Sequence, residues 1–428
     1  GLGRLALPPE LRPALLRRLS WLADHRESGR LSNHEALIAL VLARGGHLLA
    51  APALLERSLE RFERLMSWRT SEGWFEEYGG FDVGYESLTF ACLQELGPLL
   101  PTARARIAAL LPAHARLILS AAEPDGCLGG ELFARGTWNF FGHGLLHYAR
   151  AHDPALLPAV LQVLEARFVR YPTAVRDDYV LQHHLWSDLR TMALLRAAGG
   201  AAVAPAIASR PSDGPADAEV VVERVLPLAG HLWIAHGRCQ THVALQVGGA
   251  FRLYRAGCFV AQDTQQAVQV RQPRGVRTWL AHAPDPGVHW RWASPSCLEI
   301  AGTLSAYRPQ AMTTAKLLVL RVLMLVGGRW YPDAVRALMQ RLLIRTAGDG
   351  QRRWQRSIRF LPEGLMVEDR YGLAPGEPGR AEVVPTGFST YRHVVMSRMF
   401  HPYAMEQQAP LECGVAREDA AITVRRRW

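Results

Sequence analysis

Lysine is almost missing from this chain: 48 of its 49 basic residues are arginine, and Lys316 stands alone. No uninterrupted apolar run reaches the roughly 18 residues that a membrane-crossing helix requires, so no membrane span is expected. The best candidate, Leu317 to Val326, is short, contains Arg321, and reads as a buried helix. The six cysteines (Cys92, Cys127, Cys239, Cys258, Cys297 and Cys413) form no CxxC pair, which argues against a thiolate zinc site and leaves most of them as small buried residues. There is no GxSxG, no HExxH, no P-loop and no dinucleotide fingerprint after a strand. The commonest hydrolase, ATPase and dehydrogenase chemistries are thereby set aside. The chain opens at Gly1 without a signal-peptide pattern, and the compartment and oligomeric state stay open.

What remains is an ordinary globular composition with a net charge of +10 over 428 residues, long enough for two cores. The charge is read either as a solubilising surface or as a match for an anionic partner. The arginines are scattered and no nucleic-acid-binding motif accompanies them, so nucleic acid is not the expected partner. Carboxylate-bearing glycan fits better, because a planar guanidinium grips a carboxylate at two points.

The first 198 residues read as helical. Leu55, Leu59, Phe62 and Met66 fall on one face of an amphipathic stretch from Ala53 to Met66. Further helical stretches run over His34–Ala43, Tyr85–Leu96, Ala103–Leu119, Leu145–Ala151, Leu156–Phe168 and Val180–Ala198. Gly-rich loops, Glu72–Gly84 and Pro124–Gly144, separate some of them, as in a helical toroid or bundle. Residues 199–218 are rich in Gly, Ala, Pro, Ser and Asp and read as a linker. From Glu219 to Trp428 short strand-like runs dominate, with Gly248-Gly249 as a hairpin turn and a helical insert near 314–345. The expected fold class is α+β, helical first and an antiparallel β-sandwich second.

The stretch from Glu72 to Tyr85 packs five aromatics, four acids and four glycines into a loop feeding a helix. Gly79, Gly80 and Gly84 allow tight bends and close approach to a ligand. Tyr85 stands in the first helical turn, where the positive dipole end favours phenolate. Tyr78 and Tyr85 read equally as plugs of the helical core. Ser32 has the character of an N-cap, with Asn33 a second cap or, together with His34, a group facing a substrate carboxylate. The loop from Pro124 to Thr137 carries Glu131 and Arg135 toward the same end of the array. His143 and His147 sit four residues apart without a clearly spaced third ligand, so core or substrate contacts are preferred over metal.

These segments resemble the heparinase II/III-like polysaccharide lyases. The resemblance rests on Ser32-Asn33-His34, on Trp74 through Tyr85, on Pro124-Asp125-Gly126 through Arg135-Gly136-Thr137, and on His236-Gly237-Arg238 with Thr241-His242 ahead of Gly248-Gly249. It implies an (α/α) toroid followed by a β-sandwich, and β-elimination at a uronic acid without metal or organic cofactor. It further implies Tyr85 as acid/base, Asn33 or His34 as carboxylate neutraliser, and His242 (or His236) as a second proton carrier. Glu77, Tyr78, Asp82, Trp74, Glu131 and Arg135 lie in the matching loops as substrate contacts. Competing readings are a uronate C5-epimerase, a glycoside hydrolase pairing Glu77 with Glu131, and a non-catalytic polysaccharide-binding or assembly protein.

Overall fold

The computed structural model describes residues 8–25, 30–77, 79–134, 136, 138–170, 174–175, 178–197, 219–264, 266–273, 275–281, 287–307, 314, 318–319, 321–322, 325, 348–385, 399–400 and 409–428. The proposed linker at 199–218 and most of the helical insert lie outside them.

Among the described residues eight α-helices come first: α1 (Arg12–Asp24), α2 (Ser32–Leu49), α3 (Pro52–Met66), α4 (Val83–Leu96), α5 (Pro101–Ser120), α6 (Gly142–Ala151), α7 (Leu157–Glu165) and α8 (Asp178–Ala197). Helix α4 packs against α2, α5 and α6, and its residues from Phe90 to Leu93 are buried on every side. Helix α3 buries Phe62, with Leu55, Leu59 and Met66 partly covered, as its periodicity dictates. Two starts have identifiable causes. Pro52 occupies the first turn of α3, where its missing N–H costs nothing. Asp82 caps α4 by accepting from the Tyr85 N–H at 3.2 Å. Ser32 does not cap α2 as its sequence position suggested. Its hydroxyl donates instead to Glu77 Oε2 at 2.9 Å, because Leu31 and Glu77 form a β-bridge that brings the carboxylate over the helix start.

A two-residue strand β1 (Ala174–Val175) pairs with β14 (Met399–Phe400). A five-stranded antiparallel meander follows the helices: β2 (Val221–Leu226), β3 (His231–His236), β4 (Cys239–Ala244), β5 (Ala250–Arg255) and β6 (Cys258–Asp263). The glycine pair lies in the β4–β5 hairpin, but Leu245–Val247 forms a 3-10 turn there and lengthens the loop. The second sheet holds nine antiparallel strands: β7 (Gln266–Gln272), β8 (Gly275–Leu280), β9 (His289–Ser294), β10 (Cys297–Tyr307), β11 (Gly348–Leu361), β12 (Gly364–Gly372), β13 (Ala381–Pro385), β15 (Glu412–Glu418) and β16 (Ala421–Arg427).

The five-stranded sheet is the middle layer. One face contributes Leu226, Trp233, Ala244 and Ala250 to the helical core. The other contributes Leu232, Ile234, Val243, Phe251 and Leu253 to a core shared with Leu298, Ile300, Ile358, Val367 and Ile422 of the larger sheet. Strand β5 is accordingly buried along nearly its whole length. Between the sheets Arg356 donates to both oxygens of Asp369, at 2.6 and 2.9 Å, and to Asp263 at 3.3 Å, with Arg426 completing the buried cluster. Burial opposes ionisation of Arg356, yet the two carboxylates hold its pKa above the ordinary value.

The stretch from Leu317 to Val326 departs from expectation. Leu318, Val319, Val322 and Leu325 are helical but exposed. Apolar composition favours the helix; burial additionally requires a covering surface, and none packs there among the described residues. Four of the six free cysteines are buried.

Candidate functional site

Opposing residues in an antiparallel sheet share a face. The register therefore lines up one residue from each strand of the meander: Arg224, Trp233, His242, Arg252 and Gln262, each directly opposite the next. This row crosses the sheet on the side turned toward the helices. A β-bulge at its start makes Glu223 the extra residue between Val222 and Arg224. Trp233 stacks on His242 at 4.2 Å with an interplanar angle of 16°, and Arg224 lies over the Trp233 ring at 4.8 Å.

The helical half lays acids on this row. Beyond α5, Glu123 is fixed in a tight turn, its N–H donating to Cys127 O at 2.8 Å and its carbonyl accepting from Gly126 N at 2.8 Å. Its Oε1 meets His242 Nδ1 at 2.7 Å and accepts from Arg252 Nη1 at 3.0 Å. Arg252 also donates to Gln262 Oε1 at 2.7 Å, and Gln262 donates to Glu131 Oε2 at 3.1 Å. His242 Nε2 meets His231 Nδ1 at 2.8 Å. Burial works to raise the Glu123 carboxyl, but His242 and Arg252 together hold it below the ordinary carboxylate value. Burial lowers the His242 pKa despite the attraction of Glu123. An ionised carboxylate accepts only, so a neutral His242 presents Nδ1–H to Glu123 and receives the His231 Nδ1–H at Nε2. Charge, burial and bonding thus fix both tautomers.

The two Gly-rich loops complete the arrangement. Glu72 accepts from Leu228 N at 2.7 Å, Ala229 N at 3.2 Å and Trp74 Nε1 at 2.8 Å, fastening its loop to the β2–β3 turn. Phe81 contacts His231 edge-on at 5.8 Å, while Phe133 stacks on the same imidazole at 4.9 Å. Glu86, whose pKa is raised by burial, accepts from Phe75 N at 2.7 Å and meets His114 Nε2 at 2.6 Å, tying the aromatic loop to α4 and α5.

The sequence-predicted residues fall into groups. Asn33 and Glu77 come together, the Asn33 N–H donating to Glu77 Oε2 at 3.3 Å, and both are buried. Asp82 and Tyr85 meet at the α4 cap, and Tyr85 is half-buried. His34, also half-buried, stands in the first turn of α2. Trp74 is buried against Phe81. His242 and Glu131 join the polar row. His236 does not. Its register partner is Cys239, and strand alternation turns both to the face opposite His242. Glu77 and Glu131 belong to separate hydrogen-bonded groups, with Ser32 and with Gln262. Tyr78 and Arg135 lie outside the described residues.

His143 meets Ser187 Oγ at 2.8 Å and Glu95 at 3.6 Å, and His147 meets the Gln94 amide at 2.7 Å. Among the described residues no three His, Cys, Asp or Glu side chains form a set able to hold a metal ion. Glu123, His231, Arg252 and Gln262 were missed by sequence reasoning, as were Arg224 and Trp233.

A cavity of about 630 Å³ opens beside the row, lined among others by Glu123, Gln162, Arg224, Trp233, Gln240, His242 and Tyr254. That size falls within the range of small-molecule sites, about 300–1,000 Å³. Burial pushes the Tyr254 phenol well above its ordinary pKa, so it stays protonated.

No family model and no curated relative matches this sequence. Among solved structures a glycosyl hydrolase family 88 protein from Bacteroides vulgatus is similar over 37% of this chain and 53% of that one, with 14% identity and a TM-score of 0.30. At that level the likeness carries no argument about mechanism.

Proposed function

We propose that the chain is a polysaccharide lyase acting by β-elimination on a uronate-containing glycan, its helical half an (α/α) toroid that presents the Tyr85 loop to the sheet. The observation that carries this reading is the buried Glu123–His242–His231 chain, which meets the aromatic loop at Phe81. Such a chain holds two imidazoles in fixed orientation, as proton transfer in a water-poor site requires.

In the proposed reaction the C5–H bond breaks and its electron pair forms the C4=C5 double bond. The C4–O bond breaks in turn, and the leaving oxygen takes a proton. Tyr85 is assigned the acid/base role and Asn33 or His34 the neutralisation of the carboxylate. His242, acting with His231, is the second proton carrier. Glu123 is a positioning residue, holding the His242 tautomer. Glu77, Tyr78, Asp82, Trp74, Glu131 and Arg135 are assigned to the substrate-facing loops or their support.

The test follows unsaturated-uronate absorbance on a panel of uronate polysaccharides, with solvent-deuterium incorporation at C5 measured in parallel. Tyr85→Phe keeps the ring and removes the hydroxyl. Turnover should fall by about 10²–10⁴-fold, the range of a positioned acid/base, with the fold unchanged. Equal rates for the variant and the wild type would remove Tyr85 from the mechanism. Deuterium exchange without a double bond would redirect the assignment to an epimerase.

A further inference from the structure

The cavity beside the polar row has a definite chemical bias. Three atoms of its lining residues have no hydrogen-bond partner among the described residues: Arg224 Nη1, Trp233 Nε1 and Glu123 Oε2. Two are donors and one is an acceptor. Buried polar groups without partners are rare in folded proteins and call for a ligand or water.

The position of Arg224 is a product of the backbone. The bulge sets Glu223 and Arg224 together against the single residue Trp233, and both line the cavity. Glu223, which is exposed, and the buried Glu123 both act on Arg224 through charge, but neither forms an ion pair with it among the described residues. Arg252, the other arginine of the row, is bound to Glu123. Glu123 bonds directly to Arg252 and His242, while Arg224 forms no ion pair among the described residues.

The ring of Trp233 is covered on both sides, by Arg224 from β2 and by His242 from β4. It therefore offers no open face on which a sugar ring could stack, only its N–H edge. Recognition in this cavity rests on charge and hydrogen bonds.

We infer that Arg224 is the carboxylate-recognising residue of this cavity, gripping a hydroxy-acid sugar with help from Trp233 Nε1 while Glu123 Oε2 accepts from one of its hydroxyls. The inference rests on the proposed uronate substrate: Arg224 selects the carboxylate of a uronate unit in this cavity, a different unit from the one whose carboxylate Asn33 or His34 is assigned to neutralise. A planar guanidinium suits a carboxylate because two parallel N–H groups match its two oxygens. A neutral sugar satisfies the acceptor but leaves the guanidinium without an anionic hydrogen-bond partner.

The experiment measures calorimetric binding of oligogalacturonate, oligomannuronate and oligoglucuronate, each against its carboxyl-reduced counterpart. Wild-type protein should bind at least one acidic form more than tenfold tighter than the reduced form. Arg224→Gln should abolish that preference, leaving both affinities at the level of the reduced sugar. Arg224→Lys should restore part of it, and Trp233→Phe should lower it several-fold. Unchanged circular-dichroism melting identifies the folded variants. A preference that survives in folded Arg224→Gln overturns the assignment, as does a wild type that binds no acidic form better than its reduced counterpart. Selective binding lost in Arg224→Gln without any elimination or C5 exchange sustains the Arg224 assignment and sinks the lyase reading instead.

Discussion

Glu123→Ala is the most informative single change, because one carboxylate oxygen serves two buried partners. Removing it leaves the Arg252 guanidinium with Gln262 and with Glu131 at 3.6 Å, and it strands the Nδ1–H of His242. Uncompensating a buried ion pair costs about 3–5 kcal/mol. The orphaned imidazole N–H belongs to the same disruption, at about 1–3 kcal/mol when taken alone. A total loss of about 3–5 kcal/mol is expected, a large share of the roughly 5–15 kcal/mol that stabilises a typical fold. Urea unfolding followed by tryptophan fluorescence suits the measurement, since Trp233 stacks on His242 and the Arg252 guanidinium lies 4.7 Å from the Trp138 ring centroid. The double variant Glu123→Leu/Arg252→Met, which removes both charges, should lose less than the sum of its single changes. A loss below about 1 kcal/mol for Glu123→Ala, or strict additivity in the cycle, would refute the claim that this pair is buried and coupled.

Gly130 has φ +92°, and a Cβ there would land on the Arg252 guanidinium and within 2.5 Å of Trp138. Gly130→Ala should therefore cost about 1–3 kcal/mol through overpacking and backbone strain, and a urea midpoint equal to wild type would contradict the packing described. The pKa values of His242 and His143 both lie below 6.5, burial being the largest cause in each. Unfolded chains take up these protons first. Stability should then be full above about pH 6.5 and decline as pH falls below it. Glu95, held to about 2 by His143, Arg44 and Arg190 against the opposing effect of burial, loses its contribution only below about pH 4.5, outside that window. Glu86, whose pKa burial raises, gains stability as pH falls and opposes this trend, so the check is NMR titration of the two imidazoles, and a pKa at or above 6.5 for either would count against the neutral histidines.

The helices before Ala197 and the antiparallel strands after Glu219 were legible because each leaves a period in the sequence, as Leu55, Phe62 and Met66 do in α3. His242 was singled out through the resemblance carried by Thr241-His242, and the Trp74–Tyr85 loop through its density of aromatics and glycines. Glu123 carried no such mark: it is one acid after a helix, and its partner lies 119 residues away. Arg252 was hidden among 48 arginines. A signal did exist. Arg224, Trp233, His242, Arg252 and Gln262 recur at intervals of nine or ten residues, the repeat of a tight meander. It becomes readable only with the register, which also separates His236 from His242.

The row also has an order of assembly written into it. Its neighbours are nine or ten residues apart along the chain, so successive hairpins can bring them together with little loop-closure cost. The acids that satisfy it come from much farther away: Glu123 reaches Arg252 across 129 residues and Glu131 reaches Gln262 across 131, while Glu72 fastens the adjoining β2–β3 turn at Leu228 across 156. A nascent or excised β half would thus display a preformed arginine- and imidazole-bearing strip without the carboxylates of Glu123 and Glu131, which only arrival of the helical half supplies. If the proposed function holds, chemistry and correct docking become a single event.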